Sequence, residues 1–110
     1  MDAQYDVVIV GGGLAGLTAG MYAGRYGLKT VLIEEMMGGA KVINLENIAN
    51  FPGFPQGVMG AELAPLVQEQ AMNAGSEMRF GEVVSIEMDG EYRIVATTDH
   101  RYRTKCVIVS

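Results

Sequence analysis

The chain alternates short apolar runs with polar punctuation, and the spacing of the two predicts its elements. Tyr5–Val10 reads YDVVIV, an apolar, β-branched run short enough for a buried strand. Leu17–Tyr26 reads as a helix, and Lys29–Ile33 is a second apolar run that ends on Glu34. Within Ala61–Ala74, Leu63, Leu66, Val67, Ala71 and Ala74 fall on one helical stripe, with Glu62, Gln68, Glu69 and Asn73 opposite. Gly75 stops that helix, and Pro65 predicts a late start or a bend, since proline beyond the first turn removes a backbone hydrogen bond. Glu77–Phe80 follows as a strand, parallel to the first two if the helix is a crossover. The pattern then turns to alternation. Val83–Met88, Tyr92–Thr98 and Tyr102–Cys106, with turns at Asp89-Gly90 and Asp99-His100, predict an antiparallel meander that feeds an apolar strand, Cys106–Val109. The polar stretch Val42–Phe51 and the aromatic turn Phe51-Pro52-Gly53-Phe54-Pro55 carry no regular element.

The first two strands and the helix between them enclose Gly11-Gly12-Gly13-Leu14-Ala15-Gly16, a GxGxxG sequence in its expected context of strand, turn, helix, strand and acid. Gly11 lets the chain turn out of the strand, and Gly13 has no Cβ to block a pyrophosphate. Gly16 lets the helix lie close to the sheet, and the helix N-terminus presents free N–H groups and a positive dipole end to phosphates. Glu34, at the end of the second strand, is placed to accept hydrogen bonds from both ribose hydroxyls and to repel a 2′-phosphate. The fold class is therefore α/β: a Rossmann-like βαβ unit with a parallel sheet plus a small antiparallel three-stranded meander. Gly16, Gly20 and Gly24 recur along one helix face beside Ala19 and Ala23, a small-residue surface for close packing against the sheet. Glycine costs about 1 kcal/mol in a helix, so that packing has to compensate.

Composition narrows the partners. A net charge of −5 argues against nucleic acid and anionic membrane surfaces. No apolar run approaches the roughly 20 residues of a membrane span, and the start of the chain has no basic leader, so a cytoplasmic setting is expected. One cysteine excludes a CxxC pair within these 110 residues, and Cys106, in an apolar run, reads as an inert core thiol. His100, the single histidine, sits in a turn and reads as solvated. No His/Cys cluster suggests a metal, and the scattered methionines suit gap filling. Glu35–Lys41 forms a second glycine turn just beyond the strand-end acid, which by itself also reads as an ordinary loop.

The succession VIVGGGLAGLTA, VLIEE, MGGAK, IANFPGFP, GAEL and VIVS resembles the FAD domain of the thioredoxin reductase family from Tyr5 to Ser110. The NFPGFP turn followed by GxEL is its most discriminating part. The resemblance implies that Gly11, Gly13, Leu14, Ala15 and Gly16 wrap the FAD pyrophosphate and that Glu34 holds the adenosine ribose. It also implies that Gly39 and Ala40 lie along the cofactor, that Asn50 stands near the flavin, and that Val83 meets the adenine through its backbone. Ala40 replaces the family's usual glutamine, and Lys41 follows where an apolar residue is usual.

Family members continue with a Thr-Gly, an inserted NADPH-binding domain and a returning FAD-domain segment. The resemblance thus implies that residues 1–110 are a partial FAD-binding domain, truncated before the last sheet strand. The implied parent is an FAD-dependent NAD(P)H oxidoreductase that passes electrons to a disulfide or another acceptor. No catalytic residue is expected within the chain, and by itself it is expected to be inactive. Its implied partners are FAD and the missing C-terminal half or a partner chain, and the resemblance also admits a homodimer. Two other readings stand beside this one. The first is a non-catalytic dinucleotide-binding module or split half that needs a partner. The second is an NAD-binding dehydrogenase domain, which fits the second glycine turn and NFPGFP poorly.

Overall fold

The computed structural model describes residues 3–35 and 47–110. The elements run β1 (Ala3–Val10), α1 (Leu14–Arg25), β2 (Thr30–Glu34), α2 (Gly60–Asn73), β3 (Glu77–Phe80), β4 (Val83–Asp89), β5 (Tyr92–Thr97) and β6 (Arg101–Val109). They form one six-stranded sheet in the order β3-β2-β1-β6-β5-β4. β3, β2, β1 and β6 are mutually parallel, while β6, β5 and β4 are antiparallel. β6 belongs to both halves. The expected meander and the apolar run Cys106–Val109 are thus parts of one sheet, joined through a single nine-residue strand.

Two apolar clusters lie on the two faces. Val7, Ile9 and Leu32 meet Leu17 of α1 and Leu63, Ala64, Val67 and Ala71 of α2 on the helix side. Val8, Val31 and Ile33 meet Val95 and Tyr102 on the other side, so the meander covers the face that the helices leave open. β1 and β2 are covered on both sides, which is why their sequences read as unbroken apolar runs.

A matched irregularity marks where β6 passes from one half to the other. The N–H groups of Asp6 and Val7 both donate to the Lys29 carbonyl, at 2.8 and 3.2 Å. Tyr5 and Val8, three residues apart, consequently face the same cluster, as do Tyr102 and Val107, five apart. In a regular strand odd spacings point to opposite faces. Both strands switch at the same level, and their pairing continues from Tyr5–Thr104 to Val7–Cys106. The Thr104 hydroxyl accepts from Cys106 N–H at 3.3 Å and donates to its carbonyl at 3.0 Å.

Two expectations are corrected, and of the two outcomes offered at Pro65 the late start is excluded. The helix over Pro65 does not start late: it begins at Gly60, with Pro65 in its second turn. Pro65 and Ala61, whose carbonyl loses its helical partner, are both exposed, so water can satisfy that carbonyl. Leu66 is half exposed rather than on the buried stripe, because the buried face is centred on Leu63, Val67 and Ala71 and Leu66 lies off its edge. Cys106 is exposed and not a core thiol, since α1 packs over β1 and β2 rather than β6.

Candidate functional site

The carboxyl ends of β1, β2 and β6 converge on the glycine turn, the place where open α/β sheets bind ligands. Gly11 leaves β1 at φ +111°, a conformation that favours glycine, and its N–H donates to the Ile33 carbonyl at 2.9 Å. Gly13 is the N-cap of α1, and the Leu17 N–H makes the helix's first-turn bond to its carbonyl at 2.9 Å. The N–H groups of Leu14, Ala15 and Gly16 precede that bond, and no side chain caps the helix. Among the described residues, a Cβ built on Gly13 would meet nothing within 4 Å, so they leave the space in front of the helix N-terminus open.

Gly16 answers to a different constraint. A Cβ there would stand 2.0 Å from the Gly11 carbonyl oxygen and 2.7 Å from Ser110 Oγ. Its smallness serves the tightness of the turn. Gly24 likewise admits the backbone of Ala74 at the end of α2, where a Cβ would lie 2.6 Å from the carbonyl oxygen. Of the three spaced glycines only Gly20 faces the sheet, with Ile9 and Leu32 nearby, and its carbonyl accepts from the buried Ser76 hydroxyl at 2.6 Å. The small-residue face expected to pack on the sheet is thus shared among the turn, the sheet and α2.

Glu34 closes the other side of the site. One oxygen of its carboxylate, Oε2, accepts a hydrogen bond from Gly12 N–H at 2.7 Å. The Glu34 carbonyl accepts from Gly81 N–H at 3.0 Å, which brings the segment leading to Val83 alongside the end of β2. Val83 starts β4 and packs against the meander-side cluster. Asn50 stands on a neighbouring segment, exposed in the bend before Phe51 and Phe54. Those two rings lie 6.1 Å apart and pack against the helix-side cluster, as does Leu14 at the start of α1. An antiparallel bridge between Ile48 and Val58 closes that loop. Gly39 and Ala40 lie outside the described residues.

The structure thus brings Gly11, Gly13, Leu14, Ala15, Gly16 and Glu34 together, with Val83 on the segment beside the end of β2, and leaves Asn50 exposed in its bend. Two further residues enter that were not among the expected contacts. Gly12, the variable position of GxGxxG, carries the hydrogen bond to Glu34. Ser110 N–H donates to the Val10 carbonyl at 2.9 Å, and its hydroxyl to the Gly11 carbonyl at 3.1 Å. Only the β1–β6 pairing could have revealed it.

The opposite end of the strands has a separate open cleft, lined by Tyr5, Arg79, His100, Arg101 and Tyr102 among others. Burial, with a hydrogen bond to the Glu77 carboxylate, pushes the Tyr5 hydroxyl up to about 12. Arg79 there is bridged to Glu77 at 2.9 Å. His100 is exposed, as expected from its turn. Among the described residues no group of His, Cys, Asp and Glu is arranged to hold a metal ion. No helix among them is long and apolar enough to cross a membrane.

A βαβ unit with a glycine turn at a helix N-terminus and a carboxylate fixed beside it is the architecture of the Rossmann-like class of α/β folds. The comparison with known proteins is more particular. Residues 5–110 match the family model described as pyridine nucleotide-disulphide oxidoreductase, and the chain belongs to that family. The thioredoxin reductase of Bacillus subtilis is 35% identical over 106 residues, 96% of this chain and 33% of the relative. That of Streptomyces coelicolor is 37% identical over 112 residues, covering 100% and 35%. Among solved structures, thioredoxin reductase from Streptococcus pyogenes superposes with a TM-score of 0.91 at 38% identity, over 99% of this chain and 35% of that one. The Lactococcus lactis enzyme gives 0.89 at 40% identity, over 96% and 34%. The resemblance to thioredoxin reductases is therefore met in sequence and in fold, and the chain spans about a third of the length of the relatives it matches.

Proposed function

We propose that this chain is the FAD-binding portion of a thioredoxin-reductase-like oxidoreductase that passes electrons from NAD(P)H through FAD to a disulfide or another acceptor. One observation carries the reading. The open space at Gly13 faces the N-terminus of α1, and the Glu34 carboxylate is anchored beside it by Gly12 N–H. These residues fit the adenosine diphosphate portion of FAD. The N–H groups of Leu14, Ala15 and Gly16 would bind the pyrophosphate, and Glu34 would orient the ribose. Val83 would border the adenine, and Asn50 would stand toward the flavin, as the family resemblance implies. Gly39 and Ala40 are proposed contacts on family resemblance alone. When bound, the flavin accepts a hydride and passes on electrons, while the protein's part is binding and orientation. No acid–base residue in this chain is assigned a catalytic role.

The test is a visible absorption spectrum before and after incubation with FAD and desalting. A retained flavin band supports the reading, whereas a folded chain that takes up no FAD overturns it.

A further inference from the structure

The cleft between β1, β3 and the β5–β6 turn lies at the other end of the strands from the proposed FAD site and has no part in it. Its volume is about 770 Å³, within the range of small-molecule sites. One wall carries Arg79 of β3. Its Nη2 is bridged to Glu77 at 2.9 Å, and its Nη1 donates to the Met78 carbonyl at 3.0 Å. Glu77 also accepts from the Tyr5 hydroxyl and does not itself line the cleft. Arg79 is thus braced from behind. Its side chain is half-exposed, and a guanidinium has more N–H donors than these two contacts use.

The other wall is the turn. Thr97 Oγ1 accepts from the N–H groups of Asp99 and His100 at 3.3 and 3.0 Å, and the Thr97 N–H donates to the His100 carbonyl at 2.8 Å. These bonds fix the loop that brings Thr98, Asp99, His100 and Arg101 to the cleft. Among the described residues, the lining carries two guanidinium groups, Arg79 and Arg101, against one carboxylate, Asp99, in a chain of net charge −5. A cleft with an excess of one sign concentrates ligands of the other. The two cations come from different walls, and that selects among anions. A carboxylate offers one planar fork, which suits a single guanidinium. A phosphoryl group offers three oxygens in different directions and about two negative charges, so it can meet both walls. The exposed His100 ring, edge-on to Tyr102 at 6.4 Å, gives the rest of such a ligand an aromatic surface.

We propose that this cleft binds a small organic phosphate monoester, with its phosphoryl group between Arg79 and Arg101 and its carrier along His100. Asp99 opposes the anion and limits its affinity.

The test is a titration of the chain with phenyl phosphate, followed by amide NMR, with benzoate and inorganic phosphate as comparison ligands. The amides of Arg79, Thr98, His100 and Arg101 should shift together and saturate, while those of Gly11 to Gly16 stay in place. Benzoate and inorganic phosphate should each bind about tenfold more weakly, the first for want of the third oxygen and the second for want of the carrier. Arg79→Gln should weaken phenyl phosphate by about tenfold. Asp99→Asn should strengthen it by about twofold to fivefold, a gain that damage to the fold cannot produce. Equal binding of either comparison ligand overturns the proposal, as do shifts confined to the glycine turn or the absence of any saturable shift. An Asp99→Asn variant that binds no better overturns it too. None of these outcomes depends on FAD, so the cleft and the flavin reading fail separately.

Discussion

In the parallel half of the sheet, β1 and β2 are covered by helices on one side and by the meander on the other. In the antiparallel half, the edge strand β4 leaves Val84, Ile86 and Met88 exposed. The turn that the fingerprint marks lies at the carboxyl ends of the covered strands, and the meander holds no element of it beyond the start of β4 and the end of β6. The difference is one of coverage. A glycine turn with an atom-to-atom fit to Glu34 and Ser110 needs strands held from both faces, whereas the meander has only to present Val95 and Tyr102 as a lid over one of them.

The comparison can be broken most severely at Gly16. Gly16→Val places a side chain against the Gly11 carbonyl, where even a Cβ stands at 2.0 Å. It should cost about 3 kcal/mol or more in a urea titration and abolish FAD retention. Tyr5 comes next, because it joins the halves through its ring contact with Tyr102 at 6.0 Å and its hydrogen bond to Glu77. Its hydroxyl, raised to about 12 in the folded chain, holds its proton more tightly than in the unfolded chain. The stability this provides is complete below pH 10 and is lost as pH rises from 10 to 12, on the order of 2 kcal/mol. Urea midpoints at pH 8 and pH 11.5 should show this loss in the wild type, and Tyr5→Phe should remove that part of the pH dependence.

Val95→Ala tests whether the lid contributes at all. Val95 is fully buried, so its truncation should cost about 2 kcal/mol while FAD affinity, measured where the chain remains folded, stays within about threefold. A large loss of affinity would show that the meander shapes the site rather than merely covering the sheet. The smallest effect on stability is expected at Gly13. Gly13→Ala meets nothing within 4 Å and should change stability by no more than about 0.5 kcal/mol. Its FAD affinity should nevertheless fall about tenfold if the open space is where the pyrophosphate sits. Unchanged affinity would place the phosphates elsewhere.

The unequal legibility of these regions has a physical origin. β1, α1 and β2 could be read from residues 5–34 because their signals are local: apolar runs, turn glycines and a helical segment between them. The parallel placement of β3 followed from the crossover rule. The meander's strands were legible from alternation, and its turns from Asp89-Gly90 and Asp99-His100. The exposure of Cys106 and Leu66 was not legible, because whether a residue on an apolar pattern is covered depends on how far the neighbouring helices extend. The late start suggested by Pro65 failed for a similar reason. Its local penalty is real, but exposure to water lets the helix absorb it.

At the site itself, the order of residues along the chain was enough to identify the glycine turn, its helix and the acid beyond it, since each follows from chemistry within one βαβ unit. The pairing of Glu34 with Gly12 and the insertion of Ser110 behind Gly11 required the folded sheet. These contacts span 22 and 99 residues. They arise because parallel strands end side by side however far apart they lie in sequence, and close packing then fixes which atoms touch.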